Sequence, residues 1–347
     1  MIGAGGYETV LQHYIMRTSQ GFDTVSLEAE SIGEKALRAL GKKGGWLEIH
    51  SVFDHAVYIS RGGTDLIKLI RNNKFISPRS ILIKTDENAS MSALGFEKGA
   101  HVSYDGDSLD VGPGSVRINI THAHIYKKEK LTESLAGVES AALNLRILRD
   151  VIYTHPGREG LVPLLENVEL RGPMKLFLEP LGGGVAETAR PHIERLMWGL
   201  FSGDIGAVTD NAGAILGLGP GLTPSCDDFL AGLFLSLGFA GKSFYGSGDV
   251  RARFFKKAGD EILKLAKKKT TVYSIGLIDD ARRGEGPLAA TGLIKSLLTG
   301  PPEETAASAK TLLSIGVTTG ADTAVGIYYG VRFLISMREA EALYETA

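Results

Sequence analysis

Cysteine is nearly missing: Cys226 stands alone among 347 residues, so no internal disulfide can form and a reducing compartment suits the chain. Glutamine occurs only as Gln12 and Gln20, a depletion of thermolabile side chains that points toward a heat-adapted protein. Long apolar runs are also lacking. The apolar segment Phe229–Ala240 falls well short of the ~20 residues that cross a bilayer. Met1–Glu8 offers neither a basic start nor an apolar core, so no secretory signal is expected. There is little excess of either charge: 38 basic against 40 acidic residues leave −2, which argues against nucleic acid or a membrane surface as partner. The expectation is a soluble, cytoplasmic protein.

What the chain has in plenty is glycine, 44 residues, well above the average of ~7%. Without a collagen-like period, that excess predicts tight turns and close helix contacts. Hydrophobic residues make up 44%, ample for a core, and the length suits one large or two ordinary domains.

Periodicity divides the chain. Trp46–His50, Val52–Ser60, Ser80–Thr85 and Val116–Thr121 are short alternating or β-branched runs, and Tyr104–Ser108 is a hairpin turn signal. One helix is predicted before them over Leu27–Leu40, closed by Gly41. From about Lys127 the period becomes helical: Leu131–Tyr153, Pro191–Ser202, Asp204–Leu216, Asp228–Ala240, Val250–Lys268, Val272–Arg283, Gly286–Leu298, Pro302–Ile315 and Asp322–Tyr344. Leu176–Leu181 reads as a short strand or extended connection. The fold class is therefore α+β, a β-rich N-terminal domain over 1–127 and a mostly helical domain over 128–347.

The helical part holds the most informative segment, Gly217-Leu-Gly-Pro-Gly-Leu-Thr-Pro-Ser-Cys-Asp-Asp-Phe-Leu-Ala-Gly232. Glycines this dense let backbone approach a ligand, and a helix N-terminus behind them offers unpaired N–H groups and a positive dipole end. Gly316-Val-Thr-Thr-Gly-Ala-Asp-Thr-Ala-Val-Gly326 repeats the order, with Asp322 four before Gly326 as Asp228 is four before Gly232. Two such loops would face each other across one cleft. The plainer alternative is capping: Ser225-x-x-Asp228 and Thr319-x-x-Asp322 both fit a capping box. A cap does not require Gly219-Pro220-Gly221 and Thr223-Pro224 in front of it, which favours a ligand.

Two familiar loops are excluded. No Gly-Lys-Ser/Thr follows the glycines, so this is no Walker A loop, and a helical run precedes them where a dinucleotide fingerprint needs a strand. Asp227 and Asp228 would repel a phosphate unless a cation lay between, and Mg²⁺ is the cation such carboxylates hold. The other reading is that one caps while the other binds a substrate amide. Thr271 and Ser274 lie three apart after Lys267-Lys-Lys269, placed either to meet an anion or to cap the next helix.

Gly217–Gly232 resembles the hallmark Gly-x-Gly-Pro-Gly-Leu-Thr-Pro-Ser-Gly-Asp-Asp-x-Leu-x-Gly of the AllH-type family. Thr270-Thr271-x-x-Ser274, Gly316–Gly326 and Ile49-His-Ser-Val-Phe53 look like its further motifs, so the resemblance covers most of the chain. It implies a subunit of oxamate carbamoyltransferase in anaerobic allantoin (purine) breakdown, acting with other subunits on oxamate and carbamoyl phosphate or on oxalurate in reverse. A non-catalytic anion-binding or assembly subunit is the competing class. On these grounds the catalytic candidates are Asp227, Asp228 and Asp322. The substrate-binding candidates are Gly219, Gly221, Thr223, Ser225, Thr271, Ser274, Thr318, Thr319 and Gly320, with His50 and Ser51 from the early motif. Asp227 and Asp228 are the metal candidates. Cys226 stands where the motif has glycine, so a left-handed backbone there would be strained.

Overall fold

The computed structural model describes residues 15–17, 23–41, 45–86, 89–112, 114–129, 131, 137–156, 159–165, 183–245 and 248–345. It divides into two compact units, residues 1–128 and 129–347, each built on its own apolar core. The expected strand at Leu176–Leu181 lies outside the described residues.

The first unit is a β-barrel. Its strands are β1 (Ile15–Arg17), β2 (Asp23–Gly33), β3 (Gly45–Phe53), β4 (Ala56–Arg61), β5 (Thr64–Ile70), β6 (Ser80–Lys84), β7 (His101–Tyr104), β8 (Ser108–Val111), β9 (Val116–Asn119) and β10 (His124–Tyr126). They run in the order β2-β6-β5-β4-β3-β7-β8-β9, and the ring closes because β9 pairs back onto β2, Val25 opposite Val116 through Glu28 opposite Asn119. Closure leaves the ring without a free edge. Alternation fills the interior: Leu27 and Ala29 point in while Glu28 and Glu30 point out, and Val57, Ile59, Ile67 and Leu69 do the same from β4 and β5.

The helix expected over Leu27–Leu40 is therefore half strand. Residues up to Gly33 belong to β2, and only α1 (Glu34–Leu40) is helical. The β2 segment is paired along both edges, and those ladders outweigh local helix propensity. The hairpin at Tyr104–Ser108 is present between β7 and β8. The run Val52–Ser60 is not one strand, because Asp54-His55 turns the chain from β3 into β4.

The second unit is helical: α2 (Val138–Thr154), α3 (Gly184–Ser202), α4 (Ile205–Ile215), α5 (Ser225–Tyr245), α6 (Val250–Lys269), α7 (Val272–Ala281), α8 (Leu288–Thr299), α9 (Pro302–Leu313) and α10 (Thr319–Glu345). A short 3₁₀ turn spans Val162–Leu165. Helix α3 begins at Gly184, seven residues before Pro191, so the proline sits inside the helix and does not open it. Helices α5 and α10 are buried on nearly every face, as helices apolar all round must be, and the others pack about them. Among the described residues, no helix is long and apolar enough to cross a membrane.

Candidate functional site

The repeated glycines set the geometry. A Cβ on Gly232 would stand 2.2 Å from the Thr323 carbonyl oxygen, and one on Gly326 would stand 2.1 Å from that of Phe229. Gly330 likewise meets the Leu233 carbonyl. Contacts advancing in the same direction on both helices make α5 and α10 a parallel pair. The contacts are also reciprocal: Gly232 on Thr323 and Ile327, Gly326 on Phe229 and Leu233, each counterpart 94 positions away. The two motifs are thus related by a local two-fold along the helix pair, and these glycines serve backbone contact between helices. Their consequence is that both N-termini end side by side.

At that shared end sit three carboxylates, Asp227, Asp228 and Asp322, all fully buried. Asp227 accepts the Gly217 N–H at Oδ1 (2.8 Å) and the Thr270 hydroxyl at Oδ2. It thereby ties the start of the loop to the end of α6. Asp228 turns elsewhere. Its Oδ2 accepts the Thr223 hydroxyl at 3.0 Å, and Thr223 Oγ1 lies 3.4 Å from Thr319 Oγ1 on the second motif. The two loops expected to face each other do meet, through these threonines.

Asp322 accepts the Leu161 N–H at 2.7 Å, from the turn before the 3₁₀ segment. Gly160 (φ 68°) makes this approach, since a Cβ there would lie 2.4 Å from Asp322 Oδ1. Sequence reasoning missed Gly160 and Leu161. A Glu-Gly pair far from either motif carries no signal of its own.

Burial raises Asp228 well above the ordinary carboxylate range, and the Asp322 charge raises it further, while the Thr223 and Thr319 hydroxyls pull it down. Burial likewise lifts Asp322 to about 6, against the lowering effect of the Leu161 N–H and the Ser225 and Thr318 hydroxyls. Asp228 Oδ1, Asp322 Oδ2 and Ser225 Oγ are buried polar atoms without a partner among the described residues. Such atoms are costly when left alone.

Capping is not what the aspartates do. The Ser225 hydroxyl is unpartnered, and each carboxylate accepts from outside its own helix turn. Cys226 is unstrained: it lies within α5, and its N–H bonds the Leu218 carbonyl at 3.1 Å. The left-handed positions are instead Gly217, Gly219 and Gly221, with φ of 80°, 118° and 98°. A Cβ on Gly219 would strike the Ser225 nitrogen at 2.6 Å. Gly320 presses against the Leu312 carbonyl of α9, so its small size serves packing.

The loop backbone is open. Gly217, Pro220, Gly221 and Leu222 are exposed, and the N–H groups of Gly219, Gly221, Leu222, Thr223 and Ser225 make no hydrogen bond among the described residues. The same is true of Gly316 to Thr319 in the second loop. Thr271 caps α7, accepting the Ser274 N–H at 3.2 Å, and its hydroxyl donates to the Leu222 carbonyl at 2.6 Å. Its role is to hold the loop from behind, with the Ser274 hydroxyl buried 3.3 Å away. Lys269 donates to the Gly213 carbonyl at 2.6 Å and so closes the end of α4.

Asp227 and Asp228 face different partners, and no group of three or more His, Cys, Asp or Glu placed to hold a metal occurs among the described residues. His50 and Ser51 belong to the barrel. They sit at a bulge in β3, where the register slips between Ile49 and Ser51, with His50 Nδ1 3.2 Å from Ser51 Oγ.

Fold and site together define a class: a barrel domain joined in sequence to a helical domain whose central parallel helices bring two glycine-threonine-aspartate loops together. Family comparisons agree with that division. The model described as "AllH family N-terminal domain" matches residues 25–125, and the one described as "Oxamate carbamoyltransferase subunit AllH" matches residues 215–331. The chain belongs to the AllH family. No solved structure matches it.

Proposed function

We propose that the paired N-termini of α5 and α10 bind the anionic substrate of a carbamoyltransferase, and that this chain acts there as one subunit among others. The observation that carries the reading is the coincidence of two donor sets with one acceptor set. Free N–H groups over 219–225 and 316–319 suit a phosphate or carboxylate, and two helix dipoles point the same way. Behind them, Asp228 Oδ1 and Asp322 Oδ2 are buried acceptors with nothing to accept.

Transfer of a carbamoyl group from carbamoyl phosphate to oxamate forms a C–N bond and breaks the C–O bond to phosphate. The attacking amide nitrogen loses a proton, and negative charge develops on the carbamoyl oxygen before phosphate leaves. Loop amides stabilise that oxygen and the leaving phosphate. A carboxylate at Asp322 or Asp228 accepts the amide proton, and its raised affinity for protons makes it the stronger base. Asp227, with both oxygens taken by Gly217 and Thr270, fixes the loop. No step here requires Mg²⁺.

The test is calorimetric titration of the full chain with inorganic phosphate, carbamoyl phosphate and oxamate, followed by turnover with its partner subunits, for wild type, Asp228→Asn and Asp322→Asn. The expected result is micromolar-to-millimolar phosphate binding in all three and turnover at least ~100-fold lower in the asparagine variants. Wild-type turnover in both variants would leave the chain as a binding or assembly subunit. No phosphate binding by wild type would remove the loop from the account altogether.

A further inference from the structure

Asp228 has no exposed surface, so a ligand resting on the loop amides meets another group first. That group is Thr223. Its hydroxyl donates to Asp228 Oδ2 at 3.0 Å, and the residue is half-buried, next in the chain to the exposed Gly221 and Leu222. The oxygen of Asp228 nearest the loop is therefore already taken, by a group that can itself give and receive a proton.

A hydroxyl has one proton and two acceptor lone pairs. Thr223 commits its proton to Asp228, so in the 3.4 Å approach of the two threonines Thr319 is the donor. One lone pair of Thr223 Oγ1 is left over, and no other hydrogen bond reaches that oxygen among the described residues. Around it the loop offers N–H donors, so a ligand that fills this corner brings oxygens for the loop and an N–H for Thr223. Asp322 is held otherwise. It accepts a backbone N–H from Leu161 at 2.7 Å, and a backbone amide does not hand a proton on. The Asp322 charge acts from beside Asp228 and raises its affinity for a proton.

We propose that Thr223 is the proton carrier of this site: the amide N–H of the ligand docks on Thr223 Oγ1, and its proton reaches Asp228 through the hydroxyl. The proposal rests on the carbamoyl-transfer reading above and chooses between its two carboxylates. In one step the amide proton passes to Thr223 Oγ1 while the hydroxyl proton passes to Asp228 Oδ2, so threonine is never left as an alkoxide. The nitrogen electron pair forms the C–N bond to the carbamoyl carbon. The C–O bond to phosphate breaks, and its electron pair leaves with phosphate. Asp228 returns its proton by the same hydroxyl to the departing phosphate or to water.

The experiment is turnover of carbamoyl phosphate and oxamate by the full chain with its partner subunits, for wild type, Thr223→Ser, Thr223→Val, Asp228→Asn and Asp322→Asn. Phosphate affinity is measured for each by calorimetry. Thr223→Val should lose kcat by ~100-fold with KM and phosphate affinity as in wild type, while Thr223→Ser stays within ~5-fold. In mixtures of H₂O and D₂O the wild-type single-turnover rate should fall along a bowed curve, because two protons move together. A straight line means one proton and overturns the relay, and this measurement decides the matter even if Thr223→Val does not fold. Wild-type turnover in Thr223→Val beside an inactive Asp228→Asn also overturns it and leaves Asp228 a base reached directly. So does loss of phosphate affinity along with turnover in Thr223→Val, which would make the threonine a brace for the loop. An active Asp228→Asn beside an inactive Asp322→Asn makes Asp322 the base and overturns the relay alone. Turnover in both asparagine variants, or none in wild type, means that the carbamoyl-transfer reading has failed and the relay with it.

Discussion

Asp228 and Asp322 occupy equivalent turns of two parallel helices, yet the chain treats them differently. Asp228 accepts the Thr223 hydroxyl, with the Thr319 hydroxyl beside it, whereas Asp322 takes a backbone N–H from Leu161, brought close because residue 160 is glycine. Burial raises the proton affinity of both. For an acid raised in this way, the folded chain holds the proton more tightly than the unfolded chain does. Its stabilising contribution is full below pH ~4 and is lost as pH rises through the folded value, about 6 for Asp322. A shift of that size corresponds to about 3 kcal/mol. Asp322→Asn keeps an acceptor for the Leu161 N–H and removes the titration. Urea midpoints measured at pH 5 and pH 7.5 should therefore fall less in Asp322→Asn than in wild type, with the variant the more stable at pH 7.5. Parallel pH profiles would show that Asp322 is not the titrating group.

At the scale of elements, the α5–α10 pair is the construction on which the site depends, and glycine makes it. Gly326→Ala drives a methyl into the Phe229 carbonyl, 2.1 Å away, and neither backbone can yield without displacing a helix. Overpacking of this kind costs roughly 1–3 kcal/mol. Because the displaced helix starts at Thr319, phosphate affinity should fall together with stability. Loss of stability with unchanged phosphate affinity would separate the helix contact from the site. The spacing of Asp322 to Gly326 was plain in the sequence, but its meaning was not: a glycine for ligand approach and one for helix approach look alike until a neighbour is known. Helices with strong periodicity, such as α6 and α7, were legible nearly to their ends, and the β7–β8 hairpin was legible from its turn residues. Strand β2 was not, because what decides it is pairing with β6 and β9, which are far off in sequence. The same limit hid Gly160 and Leu161. Thr270 and Thr271 were visible as a motif, but only the fold shows them bracing Asp227 and the Leu222 carbonyl.

For the molecule as a whole, the two apolar cores share no residue: one draws on positions 27 to 120, the other on positions 141 to 335. Each is large enough to cooperate within itself, and the two compact units are therefore expected to unfold separately. All the loop amides and the site's three aspartates, Asp227, Asp228 and Asp322, lie in the second unit, and an anion that binds only its folded form stabilises that unit alone. Scanning calorimetry should accordingly resolve two transitions. Phosphate at about 100 times its dissociation constant should contribute ~2.7 kcal/mol and raise one of them by roughly 5–10 °C, leaving the other in place. A fragment spanning residues 129–347 should bind phosphate as the full chain does. If the chain melts in one transition that phosphate moves intact, or if the fragment folds but does not bind, then the barrel supplies part of what the helix pair has been assigned.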